Sequence, residues 1–140
     1  KNESTEKVIK TLSDEGVSIN VTAIMTVGQV IKIAKSLNKD VPAIISVFAG
    51  RVADTGRDPV PHMMECLEEI KHLEKAELLW ASPRELLNVF QADNMGCHII
   101  TITEGILKKL SIVNKDLDEY SLETVKMFRD DAISAGYKII

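Results

Sequence analysis

Aromatic side chains are scarce in this chain, at 4% of 140 residues. Its core must therefore come from Ile, Leu, Val and Ala, the side chains of tightly packed α/β layers. Basic runs are scarcer still: none is longer than Lys108-Lys109, and the net charge is −4. That argues against nucleic acid or an anionic membrane surface as the main partner. Every apolar run falls far short of the ~20 residues a membrane helix needs, and no signal-peptide pattern is seen. Cysteine is limited to Cys66 and Cys97, far apart and without metal spacing. They read as reduced, buried thiols of a cytoplasmic protein. His62, His72 and His98 show no metal spacing either, and no Ser-His-Asp or Cys-His pattern stands out.

Apolar residues make up 45% of the chain. At this length they suit one globular domain. The pattern alternates short apolar runs with longer amphipathic ones. Helices are predicted over Thr5–Ser13, stopped by Gly16, and over Val27–Leu37. Asp58-Pro59 is an N-cap followed by proline at the first helical position, opening a helix to about Lys75. Ser82 and Glu85 have capping-box spacing before a helix ending near Asn94, with Gly96 closing it. Further helices are predicted over Thr103–Leu110 and, capped by Ser121, over Leu122–Ala135, before an apolar tail, Tyr137–Ile140. Strands are predicted over Val17–Ile24, Ala43–Phe48, Leu78–Ala81 and Cys97–Ile102.

Such alternation implies a parallel sheet with helices packed on it. The strands are apolar at nearly every position, as strands covered on both sides are. An open doubly-wound sheet is one solution. A (β/α)8 barrel needs roughly 250 residues, so four strands would make half of one.

In either fold, ligands bind at the carboxyl ends of the strands. Two segments, Ile44–Arg51 and Leu78–Arg84, run apolar, reach a serine, then an arginine. Ser46 with Arg51, and Ser82 with Arg84, would place hydroxyls and guanidiniums at two strand ends, a cationic pocket for a phosphate. Each has an alternative. Ser46 can bond local backbone, and Arg51 can pair with Asp54 or Asp58 on the surface. Ser82 is a good N-cap whatever the function, and a helix N-terminus caps and binds phosphate with the same atoms. Arg84, in the expected first helical turn, opposes the helix dipole unless an anion offsets it. Arg57 reads as solvent-facing, and His62 and His72 as helix-surface residues. Asn20 and Thr22 share a strand face, turned either inward or toward a helix or solvent.

Asn20–Thr26, Ile45–Asp54 and Ala81–Arg84 resemble, in order and spacing, the transaldolase family, including its short fructose-6-phosphate-aldolase-like members. The resemblance covers essentially the whole chain. It implies a (β/α)8 barrel of which this chain holds strands five to eight, with Leu122–Ala135 as the carboxy-terminal helix that packs on a neighbouring subunit in short members. It implies Schiff-base aldol chemistry of the pentose phosphate pathway, in which a strand-four lysine holds a dihydroxyacetone unit, with no metal or organic cofactor. It further implies that Ser46, Arg51, Ser82 and Arg84 hold phosphate and sugar hydroxyls. Asn20 would hydrogen-bond the bound carbon unit, and Thr22 would position the catalytic water. Pro83 stands where an aromatic residue is common in the family. The lysine is not found: Asn2-Glu3-Ser4 after Lys1 has no strand pattern. The expected partners are a sugar phosphate and either a second copy or the rest of the barrel. The alternative is a non-catalytic, phosphate-binding or structural half-barrel that self-associates.

Overall fold

Alternation along two central strands puts one wholly apolar set of side chains on a single face of the sheet. In the computed structural model, which describes residues 5–137, β2 (Ala43–Val47) and β3 (Ala76–Trp80) pair in parallel. Ala43, Ile45, Val47, Ala76, Leu78 and Trp80 are all buried and belong to the hydrophobic core. Ile44, Ser46, Glu77 and Leu79 take the other face, because successive side chains of a strand point opposite ways. β1 (Ile19–Ile24) pairs with β2 through Asn20↔Ile44, so Asn20 and Thr22 share the Ile44 and Ser46 face. The short β4 (Ile99–Ile100) pairs with β3 through Leu79↔Ile99.

The sheet order is β1-β2-β3-β4, all parallel. A doubly-wound sheet reverses its strand order at a switch point. This sheet runs straight through in sequence order, as consecutive units of a (β/α) barrel do.

Helices cover the apolar face. They are α1 (Glu6–Asp14), α2 (Val27–Ser36), α3 (Ala49–Ala53), α4 (Pro59–Ile70) and α5 (Leu87–Asn94), while the short α6 (Glu104–Lys108) follows β4. Val30, Ile33 and Ala34 of α2 and Met63, Cys66 and Ile70 of α4 complete the core. Three of these helix starts carry side-chain caps, one of them α6, where Thr103 Oγ1 accepts from Ile106 N–H at 3.3 Å. Thr26 and Gln29 form a capping box at α2, and Asp58 accepts from Val60 N–H at α4 with Pro59 beginning the helix.

The chain folds into two compact units, one running to Leu107 and one beginning at Lys108. The second contains a 3-10 turn (Lys109–Ile112) and α7 (Leu117–Ser134). Asp116, not Ser121, caps α7 by accepting from Glu119 N–H at 2.9 Å. Asp118 and Glu119 in its first turn suit the positive end of the helix dipole. The helix thus starts before the predicted Leu122.

α4 ends at Ile70 rather than near Lys75. Leu73 N–H donates to Ile70 O and the Leu73 side chain turns into the core, which ends the helix and delivers the chain to β3 at Ala76. The reading of Lys1–Ser4 and residues 138–140 of the apolar tail lie outside the described residues. No helix among the described residues is long and apolar enough to cross a membrane.

Candidate functional site

The carboxyl ends of the strands are laced together by backbone hydrogen bonds that continue past the strands. Phe48 N–H donates to Ile24 O at 2.8 Å, Ala81 N–H to Val47 O at 2.8 Å, and Thr101 N–H to Trp80 O at 3.2 Å. Gly50 N–H then reaches across to Ala81 O at 3.3 Å. The segments after β2 and β3 therefore touch through their backbones. A Cβ placed on Gly50 would lie 1.5 Å from Ser82 O, 2.6 Å from Ser82 C and 3.3 Å from Arg84 Nε. Only glycine permits that crossing, and the crossing brings the two Ser-then-Arg strand ends together.

Ser46 is buried, and its hydroxyl donates to Asn20 Oδ1 at 2.7 Å. Two predicted site residues on neighbouring strands are thus hydrogen-bonded on the face opposite the helices. Asn20 and Thr22 are exposed on that face. Beyond Thr22 the register slips by one residue, between Val21↔Ile45 and Ile24↔Val47. Ala23 sits there at φ 63°, a left-handed conformation that costs a non-glycine residue ~1–2 kcal/mol. This is a β-bulge, a device that re-aims side chains at strand ends.

The capping box predicted at Ser82 and Glu85 does not form. Ser82 has φ 59°, and α5 begins only at Leu87, preceded by Leu86 with no side-chain cap. The cause lies upstream, where Ala81 is bonded on both sides, to Val47 O and by Gly50 N–H, and Ser82 must turn sharply to leave the sheet. Arg84 is therefore in the loop, outside any helical turn, and the expected conflict with the helix dipole does not arise. Asn88, buried in α5, does the work assigned to Ser82. Its Oδ1 accepts from Arg84 N–H at 2.7 Å and from Glu85 N–H at 3.1 Å, and its Nδ2 donates to Gln91 Oε1 at 2.9 Å.

Asp54 is one of the two alternative partners the sequence offers Arg51. It instead forms a two-pronged ion pair with Arg84, Nε to Oδ1 at 2.9 Å and Nη2 to Oδ2. The Asp54 hydrogen bond raises the Arg84 pKa, and the pair ties the loop after β3 to the segment after α3. Arg51 stacks its guanidinium over the Phe48 ring, 5.5 Å from its centroid, a cation–π arrangement.

The pairing of Asp54 with Arg84, the part played by Asn88 and the backbone role of Gly50 do not show in the local sequence. Asn88 had one signal: an asparagine inside an otherwise regular helical pattern competes for backbone hydrogen bonds and needs a reason to be there. Asp54 and Gly50 had none, since their partners lie across the sheet.

Other nucleophiles are poorly placed. Burial pushes the Cys66 thiol up to about 12, with Glu65 and Glu69 adding to it. Burial also raises Cys97, whose Sγ donates to Leu78 O at 3.4 Å. No strand among the described residues carries a lysine. No group of three or more His, Cys, Asp or Glu among them is placed to hold a metal ion.

A four-stranded parallel β/α sheet in consecutive order is consistent with part of a (β/α) barrel. Residues 2–139 match the family model described as Transaldolase/Fructose-6-phosphate aldolase. The chain belongs to that family. It is 34% identical over 107 residues to a probable transaldolase of Nitrosopumilus maritimus, covering 74% of this chain and 46% of that protein. Probable transaldolases of Thermoanaerobacter and Ruegeria are 29% and 30% identical over 134 and 139 residues, covering 95% and 96% of this chain and 58% of each relative. The chain spans about half the length of these curated relatives.

Proposed function

We propose that this chain is the sugar-phosphate-holding half of a transaldolase-type barrel, its strands corresponding to the fifth to eighth. Ser46, Arg51, Ser82 and Arg84 hold the phosphate and hydroxyls of a sugar phosphate. Asn20 hydrogen-bonds the carbon unit undergoing transfer, and Thr22 positions a water for proton transfer. The observation that carries this reading is the Gly50 crossing, which joins the two Ser-then-Arg segments in one place. Arg84 uses Nε and Nη2 on Asp54. A guanidinium has five donors, so its Nη1 edge remains for an oxyanion. The reaction is transfer or aldol cleavage of a dihydroxyacetone unit through a Schiff-base lysine that is not among this chain's strand residues. A Schiff-base lysine must be desolvated or set beside another cation to be nucleophilic at neutral pH. Pentose phosphate metabolism in the cytoplasm fits this chemistry.

The test uses fructose 6-phosphate. Borohydride treatment of the 140-residue chain with this sugar should give no covalent adduct, because the lysine is lacking. Binding should still be measurable by calorimetry, and Arg84→Ala should weaken it about tenfold, from ~1.5 kcal/mol for a charge-assisted hydrogen bond. An adduct on this chain would sink the lysine argument, and unchanged affinity in Arg84→Ala would sink the site.

A second reading, a non-catalytic half-barrel that self-associates, is favoured by two observations. β1 and β4 are the outer strands of the sheet, and unpaired strand edges invite association. Within the second unit, α7 leaves Leu122, Val125, Phe128 and Ile133 exposed. We propose that a second copy covers them. Light scattering should report a multimer, and Phe128→Asp should lower its mass. A monodisperse wild-type monomer would overturn self-association.

A further inference from the structure

The sheet face turned away from the helices carries one charged strand residue. Glu77 of β3 stands on it and is exposed. Its cross-strand neighbour in β2 is Ile44, and Ile44 in turn pairs with Asn20 of β1. Ser46 and Leu79 continue the same face toward the carboxyl ends. None of these neighbours is a cation, and no strand among the described residues carries lysine or arginine. Arg84 lies past the strand ends and is paired with Asp54. Among the described residues, the Glu77 carboxylate has no ion pair.

A carboxylate on an open surface needs no partner. In an eight-stranded barrel, however, this face is the interior, which is packed with side chains. A carboxylate enclosed there loses its hydration, and a buried charge is tolerated only when it is paired. Whatever closes the face must therefore bring a cation to Glu77.

A second copy of this chain cannot bring one. Two four-stranded halves closing into one ring set each strand opposite its own counterpart. Glu77 would meet the partner's Glu77 across the axis, and like charges facing each other in an interface oppose association. The other strand residues of the face are neutral, so a second copy offers nothing to relieve that pair.

We propose that this face is closed by a different β/α half, one that presents a lysine or arginine to Glu77, and that Glu77 rejects a second copy there. The inference rests on the half-barrel reading above and adds the chemistry of the partner: a cation at the level of Asn20 and Ile44, away from the sugar-phosphate rim.

The test makes a cationic partner from the chain itself. Wild-type chain is mixed with isotope-labelled Glu77→Lys chain, and the dimers are counted by native mass spectrometry. The mixed dimer should exceed its random share about tenfold, because an opposite-charge pair replaces two like-charge pairs. Association through α7 mixes the two forms at random and gives no excess. Glu77→Gln keeps the shape of the side chain without its charge. Alone, it should self-associate about tenfold more tightly than wild type, a result that stands by itself if Glu77→Lys does not fold. Glu74→Gln, at an exposed acid outside the strands, changes the net charge equally and should match wild type. Random mixing of wild type with folded Glu77→Lys overturns the proposal. So does wild-type self-association as tight as that of Glu77→Gln, or a Glu74→Gln effect as large, since Glu77 would then reject no copy. No sugar is present in these measurements, so the sugar-phosphate reading still stands or falls on Arg84→Ala.

Discussion

Gly50→Ala should unfold the rim. The new methyl would sit 1.5 Å from Ser82 O and 2.6 Å from Ser82 C, both backbone atoms held in place by the strand-end hydrogen bonds. No rotamer relieves a clash with backbone, so the segments after β2 and β3 must separate. Overpacking of this kind costs about 3 kcal/mol or more. Against a total stability of roughly 5–15 kcal/mol, that is a large share. The urea midpoint should fall by about 1–2 M, and fructose 6-phosphate binding should be lost with it. Gly28→Ala is the control. Its Cβ would meet nothing closer than 4.0 Å, in the first turn of α2, and alanine is the better helix former by up to ~1 kcal/mol. If Gly50→Ala matched Gly28→Ala in midpoint, the crossing could not be what unites the strand ends.

The second large effect is expected at Asn88. Asn88→Ala removes the acceptor of two backbone N–H groups, those of Arg84 and Glu85. It also removes the donor to Gln91. Leaving buried donors unpaired costs about 2 kcal/mol in all. That value is reduced from a fully buried pair because Arg84 and Glu85 lie at the surface. The loop carrying Ser82 and Arg84 should loosen, and fructose 6-phosphate affinity should drop several-fold, more than the stability loss alone would cause at saturating folding. Asn88→Asp keeps an acceptor for both N–H groups. It should recover most of the affinity, a recovery that simple core damage would not allow. Equal loss in the Ala and Asp variants would refute the positioning role.

Most of the fold was legible because its signals are local. Asp58 caps the helix that Asp58-Pro59 announces, and the apolar runs of β2 and β3 became the buried centre of the sheet. Ser82-Pro83-Arg84-Glu85 misled because a capping box is a local pattern and the force acting on Ser82 is not local. Gly50, more than thirty residues earlier, fixes the backbone of Ala81 and so decides the conformation of the residue after it. Asp54 escaped for the same reason: spacing suggested Arg51 as its partner, and the Gly50 crossing brought Arg84 nearer. Among the candidate site residues, pairings were not readable. Asn20 and Ser46 were both chosen, yet nothing in sequence says that one hydrogen bond joins them.

That bond fixes the direction of a small circuit. Ser46 gives its single hydroxyl hydrogen to Asn20 Oδ1. The serine is left with lone pairs and the asparagine with the two hydrogens of its amide nitrogen. The corner where β1 meets β2 is therefore polarised, with hydrogens offered from one residue and electron pairs from the other a few ångströms apart. A sugar hydroxyl suits such a corner because it can give and take at once, oxygen toward Asn20 and hydrogen toward Ser46. A carbon bearing hydrogens alone offers neither. On the proposed function, two neutral side chains would read hydroxylation without adding any charge to the sheet.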